Sequence, residues 1–230
     1  MDARNGFQLE DMECQEWLRG LSGAERKYAP VELFCAGDAG LLWRGRCVSV
    51  VGTRDPSGQG VVRTRKLVEL LVDLELVVCS GLARGVDTVA HETAVERGGK
   101  TFAVLPTPLG VVTPKSNEGL YAELVANHLV VSQFPEGSGV NKGNFVRRNR
   151  TMALLSDATV VVEASNTSGT RFQALEALRL GRRLFLLESL ALDKEVVWAQ
   201  EVLRLGAEVL TRENAGDLLG SLGPSRLGLS

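Results

Sequence analysis

The chain has 230 residues, a formal net charge of −2, and 44% hydrophobic and 23% charged residues. This length and composition are typical of one large α/β domain with its own core, and the charge excludes a generally basic protein that coats DNA. No apolar run approaches the roughly 18–20 residues of a membrane span, and the polar, acidic N-terminus shows no signal-peptide pattern. We therefore expect a cytoplasmic protein with no membrane partner.

Residues 1–29 are polar, and they are predicted to form an N-terminal helical appendage, with a weak helical pattern around Met12, Trp17, Leu18 and Leu21. Residues 30–46 are predicted to contain turns and to connect this appendage to the first strand. Six short apolar runs that are typical of buried strands then occur at 48–51, 76–79, 101–105, 129–131, 159–162 and 183–187. Helix-like stretches separate them, at about 60–73, 85–97, 116–127, 148–155 and 170–181.

Short continuous apolar strands that alternate with helices favour a doubly wound α/β fold, with a mostly parallel sheet and helices on both faces. A helix at about 193–205, a strand at 206–210 and a helix at 213–219 complete this domain, which we place at residues 30–220. Residues 221–230, rich in Gly, Ser and Pro, are predicted to be a flexible tail. Ligands of such sheets bind beyond the carboxyl ends of the strands.

Cysteines and histidines argue against metal chemistry. Only two histidines are present, His91 and His128, and no CxxC pair occurs. The four scattered cysteines are interpreted as reduced thiols, with Cys79 a core residue: Cys14, Cys35, Cys47 and Cys79. The sequence predicts no metal and no cofactor.

The first loop that follows a strand, residues 52–60, is rich in glycine. Its spacing is not GxGxxG, and it lacks the GKS or GKT of a P-loop, so a dinucleotide or Walker-type site is poorly supported. Arg54 is its notable residue, because a guanidinium can clamp a phosphate with two hydrogen bonds. A plain turn is an equally good interpretation of this loop.

The second loop, SGLARGVDTVAH at 80–91, joins a strand to a helix through Gly81, Arg84 and Gly85. Such a junction offers backbone N–H groups and a helix N-terminus to an anion. Asp87 is either a favourable charge in the first helical turn or an acceptor for a ribose or base group. His91 is at i+4 from Asp87, and a structural pair of the two is favoured over a ligand pair.

The third segment, residues 144–152, contains three arginines within four positions, and Lys142 precedes it. A solvated face is the usual explanation for such a run. Here the run precedes a helix and a buried strand, which places it near the ligand edge of the sheet. Helical spacing would put Arg147 and Arg150 on one face and Arg148 off it.

The fourth loop, residues 163–170, opens a helix with Ser168, Gly169 and Thr170, whose hydroxyl and N–H groups suit an anion. Each loop alone is a weak signal. Together, the four loops lie on one sheet edge and predict a polyanion site at which four arginines converge: Arg54, Arg84, Arg147 and Arg150.

Five segments, in chain order, resemble the DprA/Smf family of DNA-processing proteins: VVGTRDPSGQG (50–60), SGLARGVDTVAHETAVERGGKTFAVL (80–105), SQFPEG (132–137), FVRRNRTMALLSDATVVVEASNTSGT (145–170) and GAEVLTRENAGDLL (206–219). The resemblance covers roughly residues 30–220. It implies an extended Rossmann-like domain that binds single-stranded DNA in a cationic pocket and protects it during natural transformation. It also implies transfer of the DNA to a RecA-type recombinase and self-association as a homodimer.

By residue-wise matching, the resemblance implies five DNA-contacting cations: Arg54, Lys142, Arg147, Arg148 and Arg150. Six further residues would shape the pocket: Gly52, Ser57, Ser80, Gly81, Arg84 and Gly169. Asn149, Ser168 and Thr170 complete the predicted phosphate site. Phe145 and Phe172 are the aromatic residues placed to stack on bases.

Several residues depart from the family pattern. Residues 106–114 (PTPLGVVTP) replace a glycine-rich turn, Gln133 stands where Glu is usual, and TRFQA (170–174) replaces SLITA and adds Arg171. These changes leave open a second hypothesis, a sensor that binds a nucleotide-derived signal in the same cleft.

A third hypothesis is nucleotide N-glycosidase activity, as in the related LOG-type phosphoribohydrolases, whose PGGxGTxxE motif supplies a catalytic Glu. The corresponding residue here is Gln173, which cannot act as a carboxylate. We therefore expect a binding protein rather than an enzyme.

Overall fold

The computed structural model describes residues 7–8 and 21–223 of the chain. The strands in this part are β1 (Phe7–Gln8), β2 (Phe34–Gly37), β3 (Cys47–Val51), β4 (Val77–Ser80), β5 (Thr101–Leu105), β6 (Leu129–Ser132), β7 (Ala158–Val161), β8 (Arg183–Leu187) and β9 (Glu208–Leu210). They form one nine-stranded sheet in the order β1-β2-β6-β5-β4-β3-β7-β8-β9. β2 pairs antiparallel with β1 and β6, and all other neighbours are parallel.

Helices cover both faces of the sheet because the buried strands present apolar side chains on alternate sides. The helices are α1 (Gly23–Tyr28), α2 (Gly58–Asp73), α3 (Val86–Glu96), α4 (Glu118–Asn127), α5 (Lys142–Leu154), α6 (Thr170–Arg179), α7 (Glu188–Ala191), α8 (Val197–Arg204) and α9 (Ala215–Gly220). In β3, Cys47 and Val51 face a core formed with α5, α6 and α8, whereas Val48 and Val50 face α2, α3 and α9. The predicted doubly wound α/β fold is confirmed.

The strand order creates a crevice in the middle of the sheet. The chain enters the parallel part at β3, moves outward through β4, β5 and β6, and then crosses back to β7, β8 and β9 on the other side of β3. The loops after β3 and β7 therefore leave the sheet in opposite directions. Open α/β sheets bind ligands at such a point, where the strand order reverses and a crevice forms between the two loops.

Two predicted helices are present with different bounds. The helix predicted at 148–155 begins at Lys142, because the Asn141 side chain accepts a hydrogen bond from the Asn144 N–H and caps the helix there. The helix predicted at 193–205 begins four residues later, at Val197, and before it Asp193 Oδ1 accepts a hydrogen bond from the Glu195 N–H. Residues 30–46 also contain a strand, β2.

The predicted N-terminal appendage is described only in part. Its α1 is anchored by a buried ion pair between Glu25 and Arg182, with 2.9 Å between Oε1 and Nη2. Met12, Trp17 and Leu18 lie outside the described residues. In the predicted tail, Leu222 is buried in the core, and residues 224–230 lie outside the described part.

Candidate functional site

A cavity of about 370 Å³ lies at the crevice between β3 and β7. Residues from all four predicted segments line it: Gly52, Thr53, Arg54, Ala83, Asp87, Phe145, Arg148, Asn149, Met152, Ser165, Thr167, Ser168, Gly169, Thr170 and Gln173, with Val51 at the end of β3. A smaller cavity of about 220 Å³ adjoins it and shares Arg54, Ala83, Phe145 and Arg148. The two cavities form one cleft, and the side chains of Arg54, Phe145 and Arg148 line both parts of it.

Arg148 carries a buried guanidinium that has only weak partners. Its side chain is 7% exposed, its Nη1 lies 3.9 Å from Asp87 Oδ2 and 3.9 Å from Met152 Sδ, and its Nε has no hydrogen-bond partner. Burial lowers the pKa of Arg148 and raises the pKa of Asp87, and in each case the opposite charge of the partner only partly counteracts the effect. At 3.9 Å this ion pair is long, so Asp87 compensates the buried guanidinium only in part.

Gly81 makes room for this arginine. A β-carbon at position 81 would overlap the Arg148 guanidinium. The same loop is held by Asp87, whose Oδ2 accepts a hydrogen bond from the Ala83 N–H at 3.3 Å. The SGLARGVD segment therefore forms the wall against which Arg148 packs. Arg84, the arginine of this segment, is exposed.

We expect Gly81→Ala to lower the free energy of unfolding by only about 1 kcal/mol, the lower end of the cost of overpacking, because the methyl group meets the end of the flexible Arg148 side chain, which can shift. It should also displace Arg148 and weaken anion binding. Urea unfolding gives the first quantity and oligonucleotide titration the second. Gly119→Ala in α4 is the matched control, since a β-carbon there meets no atom within 4 Å. Equal stability of the two variants would contradict the packing argument.

Arg54 lies at the rim of the cleft, with its guanidinium 5.6 Å from the centre of the Phe145 ring. Arg84 is close to it, as predicted: its Nε donates to the Arg54 carbonyl at 3.3 Å, and its Nη2 pairs with Asp55 at 2.7 Å. Gly85, with φ of +85°, allows this loop to approach the Thr53 carbonyl closely. Arg84 lines only the smaller cavity.

The N-terminus of α6 closes the opposite wall of the larger cavity. Ser168 Oγ donates to Thr170 Oγ1 at 2.7 Å, and Thr170 Oγ1 donates to the Gly52 carbonyl at 3.2 Å. Asn149 Nδ2 lies 3.5 Å from the Gly169 carbonyl oxygen. These contacts join the first and fourth loops, and they orient the helix N-terminus, the end that favours negative charge, toward the cavity.

The predicted convergence of Arg147 and Arg150 on the cleft is wrong. Arg150 pairs with Glu176 at 3.0 Å and lies over the Tyr28 ring, and Arg147 lies over the Phe134 ring. Four residues of α5 line the larger cavity instead, at i, i+3, i+4 and i+7 on one face of the helix: Phe145, Arg148, Asn149 and Met152.

Three other predicted site residues lie outside the linings of both cavities. The Ser57 hydroxyl donates to Glu163 Oε2 at 2.7 Å, and the Ser80 hydroxyl donates to the Val50 carbonyl at 2.7 Å. Ser57 therefore joins the first loop to the fourth loop, which follows β7, and Ser80 joins the ends of the neighbouring strands β4 and β3. Lys142 is exposed at the first turn of α5.

Arg171 and Phe172 also lie outside the cavity linings. Arg171 pairs with Glu201 at 3.0 Å, and Phe172 is 52% exposed on α6. The expected pairing of His91 with Asp87 is wrong, because His91 Nδ1 lies 2.7 Å from Thr101 Oγ1 inside the core.

Two residues that sequence reasoning missed position the fourth loop. Trp198 Nε1 donates to the Ser165 carbonyl at 3.0 Å, and Asn166 Oδ1 accepts from the Val197 N–H at 3.0 Å. Their partners lie about 30 positions away in the chain, so no local pattern could reveal them.

Within residues 7–8 and 21–223, no helix is long and apolar enough to cross a membrane. In the same part of the chain, no group of three or more His, Cys, Asp or Glu side chains is placed to hold a metal ion.

Comparison with known proteins identifies the family. Residues 11–222 match the sequence model of the family described as DNA recombination-mediator protein A. Protein Smf of Synechocystis sp. is 39% identical over 176 residues, which are 76% of this chain and 44% of that protein. The chain thus spans less than half the length of this curated relative.

Two solved structures share the fold over nearly the whole chain. DprA of Streptococcus pneumoniae superposes with a TM-score of 0.80 at 34% identity, covering 95% of this chain and 74% of that one. DprA of Helicobacter pylori, described as having a unique single-stranded DNA binding mode, gives 0.78 at 27% identity, covering 96% and 98%. The family match over most of the sequence, together with this fold, shows that the chain belongs to the DNA recombination-mediator protein A family, the DprA/Smf group of DNA-processing proteins.

Proposed function

We propose that the chain binds single-stranded DNA in the cleft formed by the two cavities, with backbone phosphates on Arg148 and Arg54. The observation that carries the proposal is the buried Arg148 guanidinium, whose Nε is unpartnered and whose nearest carboxylate oxygen is 3.9 Å away. A phosphate oxygen would supply the charged acceptor that this group lacks. With a net charge of −2, the chain can bind DNA only through such a local site.

Phe145 favours a single strand over a duplex. Its ring lies between the two cavities and beneath Arg54, where an unpaired base could stack on it. The bases of a duplex are already stacked and paired, so they would gain nothing from this ring. The DNA-binding relative from Helicobacter pylori, which this chain matches over 98% of its length, supports the same assignment.

The wider role that we propose rests on family membership. The chain would protect single-stranded DNA in the cytoplasm, act as a homodimer and pass the strand to a RecA-type recombinase. We infer binding without catalysis, because Gln173 presents an amide to the cavity and an amide cannot serve as a general acid or base.

A nucleotide-derived signal is the second candidate ligand. The larger cavity, at about 370 Å³, falls within the size range of small-molecule sites. A free nucleotide that raises the melting temperature and displaces a bound oligonucleotide would favour this candidate.

Fluorescence anisotropy with labelled oligothymidine and with a duplex, over a salt series, tests the main proposal. We expect the single strand to bind more tightly than the duplex, with log K falling linearly with log salt by about 0.7 for each phosphate contacted. Arg54→Ala should weaken binding about tenfold, as expected for the loss of a hydrogen bond to a charged group.

Arg44→Ala is the matched control for Arg54→Ala. Arg44 is an exposed arginine that pairs with Asp38 and lies outside both cavities. Wild-type affinity in Arg54→Ala, or equal affinity for strand and duplex, would contradict the proposal.

A further inference from the structure

A third cavity, of about 500 Å³, lies apart from the cleft. It is bounded by α2, by residues 188–192 after β8 and by residues 211–215 after β9, and we call it the α2 groove. No residue that lines either part of the cleft lines this groove. A ligand bound there would therefore leave the proposed DNA site free.

The floor of the α2 groove is apolar. Leu187 and Leu210, which end β8 and β9, line it together with Leu67 and Leu70 of α2. Leu192, directly after α7, also lines the groove and is 72% exposed. An apolar concavity that includes an exposed leucine is typical of a surface that binds another apolar group.

Contacts within the chain hold the walls of the groove. The Thr211 N–H donates to Asn214 Oδ1 at 2.8 Å, and Gln200 Nε2 donates to the carbonyl of Ala191, next to Leu192, at 2.6 Å. The groove is thus largely formed before a ligand arrives, which lowers the entropic cost of binding.

Three cations surround this floor without an ion pair. Arg63 and Lys66 lie on the same face of α2 as the two lining leucines, and Arg212 follows β9. Within residues 21–223, none of the three forms a salt bridge, whereas Arg65 of the same helix pairs with Glu96 at 3.1 Å. The three charges are therefore available to a ligand.

The charge of the groove selects among possible occupants. Of its described lining residues only Glu188 is acidic, so three positive charges accompany one negative charge in a chain whose formal net charge is −2. Such a patch attracts acidic partners and repels basic ones. The same lining contains no aromatic ring on which a nucleic-acid base could stack, and its leucines instead suit the apolar side chains of a peptide.

We propose that the α2 groove docks an acidic, amphipathic segment of a partner protein. Apolar side chains of that segment pack on the leucine floor, and its Asp or Glu side chains pair with Arg63, Lys66 and Arg212. In this arrangement the apolar anchors supply most of the affinity, and the surrounding charges supply the specificity.

Selection from a random peptide library displayed on yeast tests the occupant without assuming its sequence. We expect the wild-type chain to enrich peptides that combine Asp or Glu with Leu, Ile or Phe. Fluorescence anisotropy with an enriched peptide should then show affinity that falls with salt, and a roughly three- to tenfold loss in Lys66→Glu and in Arg212→Glu. Leu192→Ser should cause a loss of similar size, because it removes apolar area from the contact.

Two matched controls should bind the peptide as wild type does. Lys100→Glu makes the same charge change at an exposed position that begins β5, at the opposite edge of the sheet. Leu205→Ser makes the same apolar-to-polar change at a 59% exposed position outside the groove. Lys66, Arg212 and Leu192 are all exposed, so these variants should fold, and thermal unfolding checks that they do.

Several results would overturn the proposal. Enriched peptides that are neutral or basic, or a failure to enrich acidic peptides, would show that the groove does not select this chemistry. Equal peptide affinities of Lys66→Glu and Lys100→Glu would place the peptide elsewhere. A dimer that sedimentation velocity shows to dissociate in Leu192→Ser would mean that a second copy covers the groove. A weaker affinity of Lys66→Glu than of Lys100→Glu for oligothymidine would assign the groove to DNA.

Discussion

Replacing Arg148 with methionine is expected to weaken single-stranded DNA binding by about 2–3 kcal/mol, or roughly 30- to 150-fold. The guanidinium is buried beside a cavity, and its Nε has no partner within the described chain, so a bound phosphate would gain a charge-assisted hydrogen bond in a poorly solvated site. Loss of one phosphate contact should also reduce the slope of log K against log salt by about 0.7. Anisotropy over a salt series measures both.

Arg150→Met is the matched control, because it makes the same substitution two positions along the same helix. Arg150 is bonded to Glu176 through Nε and Nη2, at 3.0 and 3.1 Å, and does not line either cavity. It should retain wild-type affinity. If Arg150→Met weakened binding as much as Arg148→Met, the assignment of Arg148 to the cleft would be wrong.

The stability of Arg148→Met should depend on pH through Asp87. Burial already raises the pKa of Asp87, and removal of the cation raises that pKa further. Above its unfolded pKa of 3.8, the native carboxyl binds more protons than the unfolded one, so the free energy of unfolding falls as pH rises through the folded pKa. The variant should therefore be most destabilised, relative to wild type, at neutral pH, and Asp87→Asn in the same chain should relieve the deficit.

Acidification is expected to remove about 4–5 kcal/mol of stability through His91 alone. Burial, together with the charges of His128 and Arg148, lowers the pKa of His91 from 6.5 to about 3. Between these two values the unfolded chain binds the proton and the native chain does not. This contribution is therefore complete above pH 6.5, and it is lost as the pH falls toward 3. Since small domains are stable by only about 5–15 kcal/mol, the effect is large.

Urea unfolding of wild type and His91→Gln from pH 7 to pH 4 should show about 3 kcal/mol of this contribution, because the rest is lost only between pH 4 and pH 3. The variant should lose much less stability on acidification, although it also starts from a lower value because the contact with Thr101 is altered. His128→Gln should reduce the loss only in part, because the pKa of His128 is itself lowered and its charge is one cause of the lowered pKa of His91. Parallel pH profiles for wild type and His91→Gln would show that another group is responsible.

The sequence predicted the sheet edge at which the site lies. Apolar runs followed by glycine loops define parallel strands, and the carboxyl ends of parallel strands must meet at one edge. For that reason Arg54, Arg84 and the α6 N-terminus could be placed near one another before any tertiary contact was known. The order of strands and loops in the sequence was enough for this prediction, because each loop directly follows its strand.

The identity of the buried arginine could not be predicted in this way. Helical spacing separates Arg148 from Arg147 and Arg150, but it does not say which face of α5 meets the cleft. That choice depends on Glu176, Tyr28 and Phe134, which engage Arg150 and Arg147 from other elements. The start of α5 at Lys142 was also missed, because Gly143 in its first turn lowers the helix propensity there, although Asn141 is a favourable N-cap residue.

The sequence by itself therefore determined the doubly wound fold and the family, and it predicted an anionic ligand, because these depend on periodicity and on residues that are neighbours in the chain. Only the tertiary structure decided that Arg148 rather than Arg150 lines the cleft and that Gly81 makes room for it. Burial and hydrogen-bond satisfaction are properties of atoms from distant segments, and they exist only once those segments have packed together.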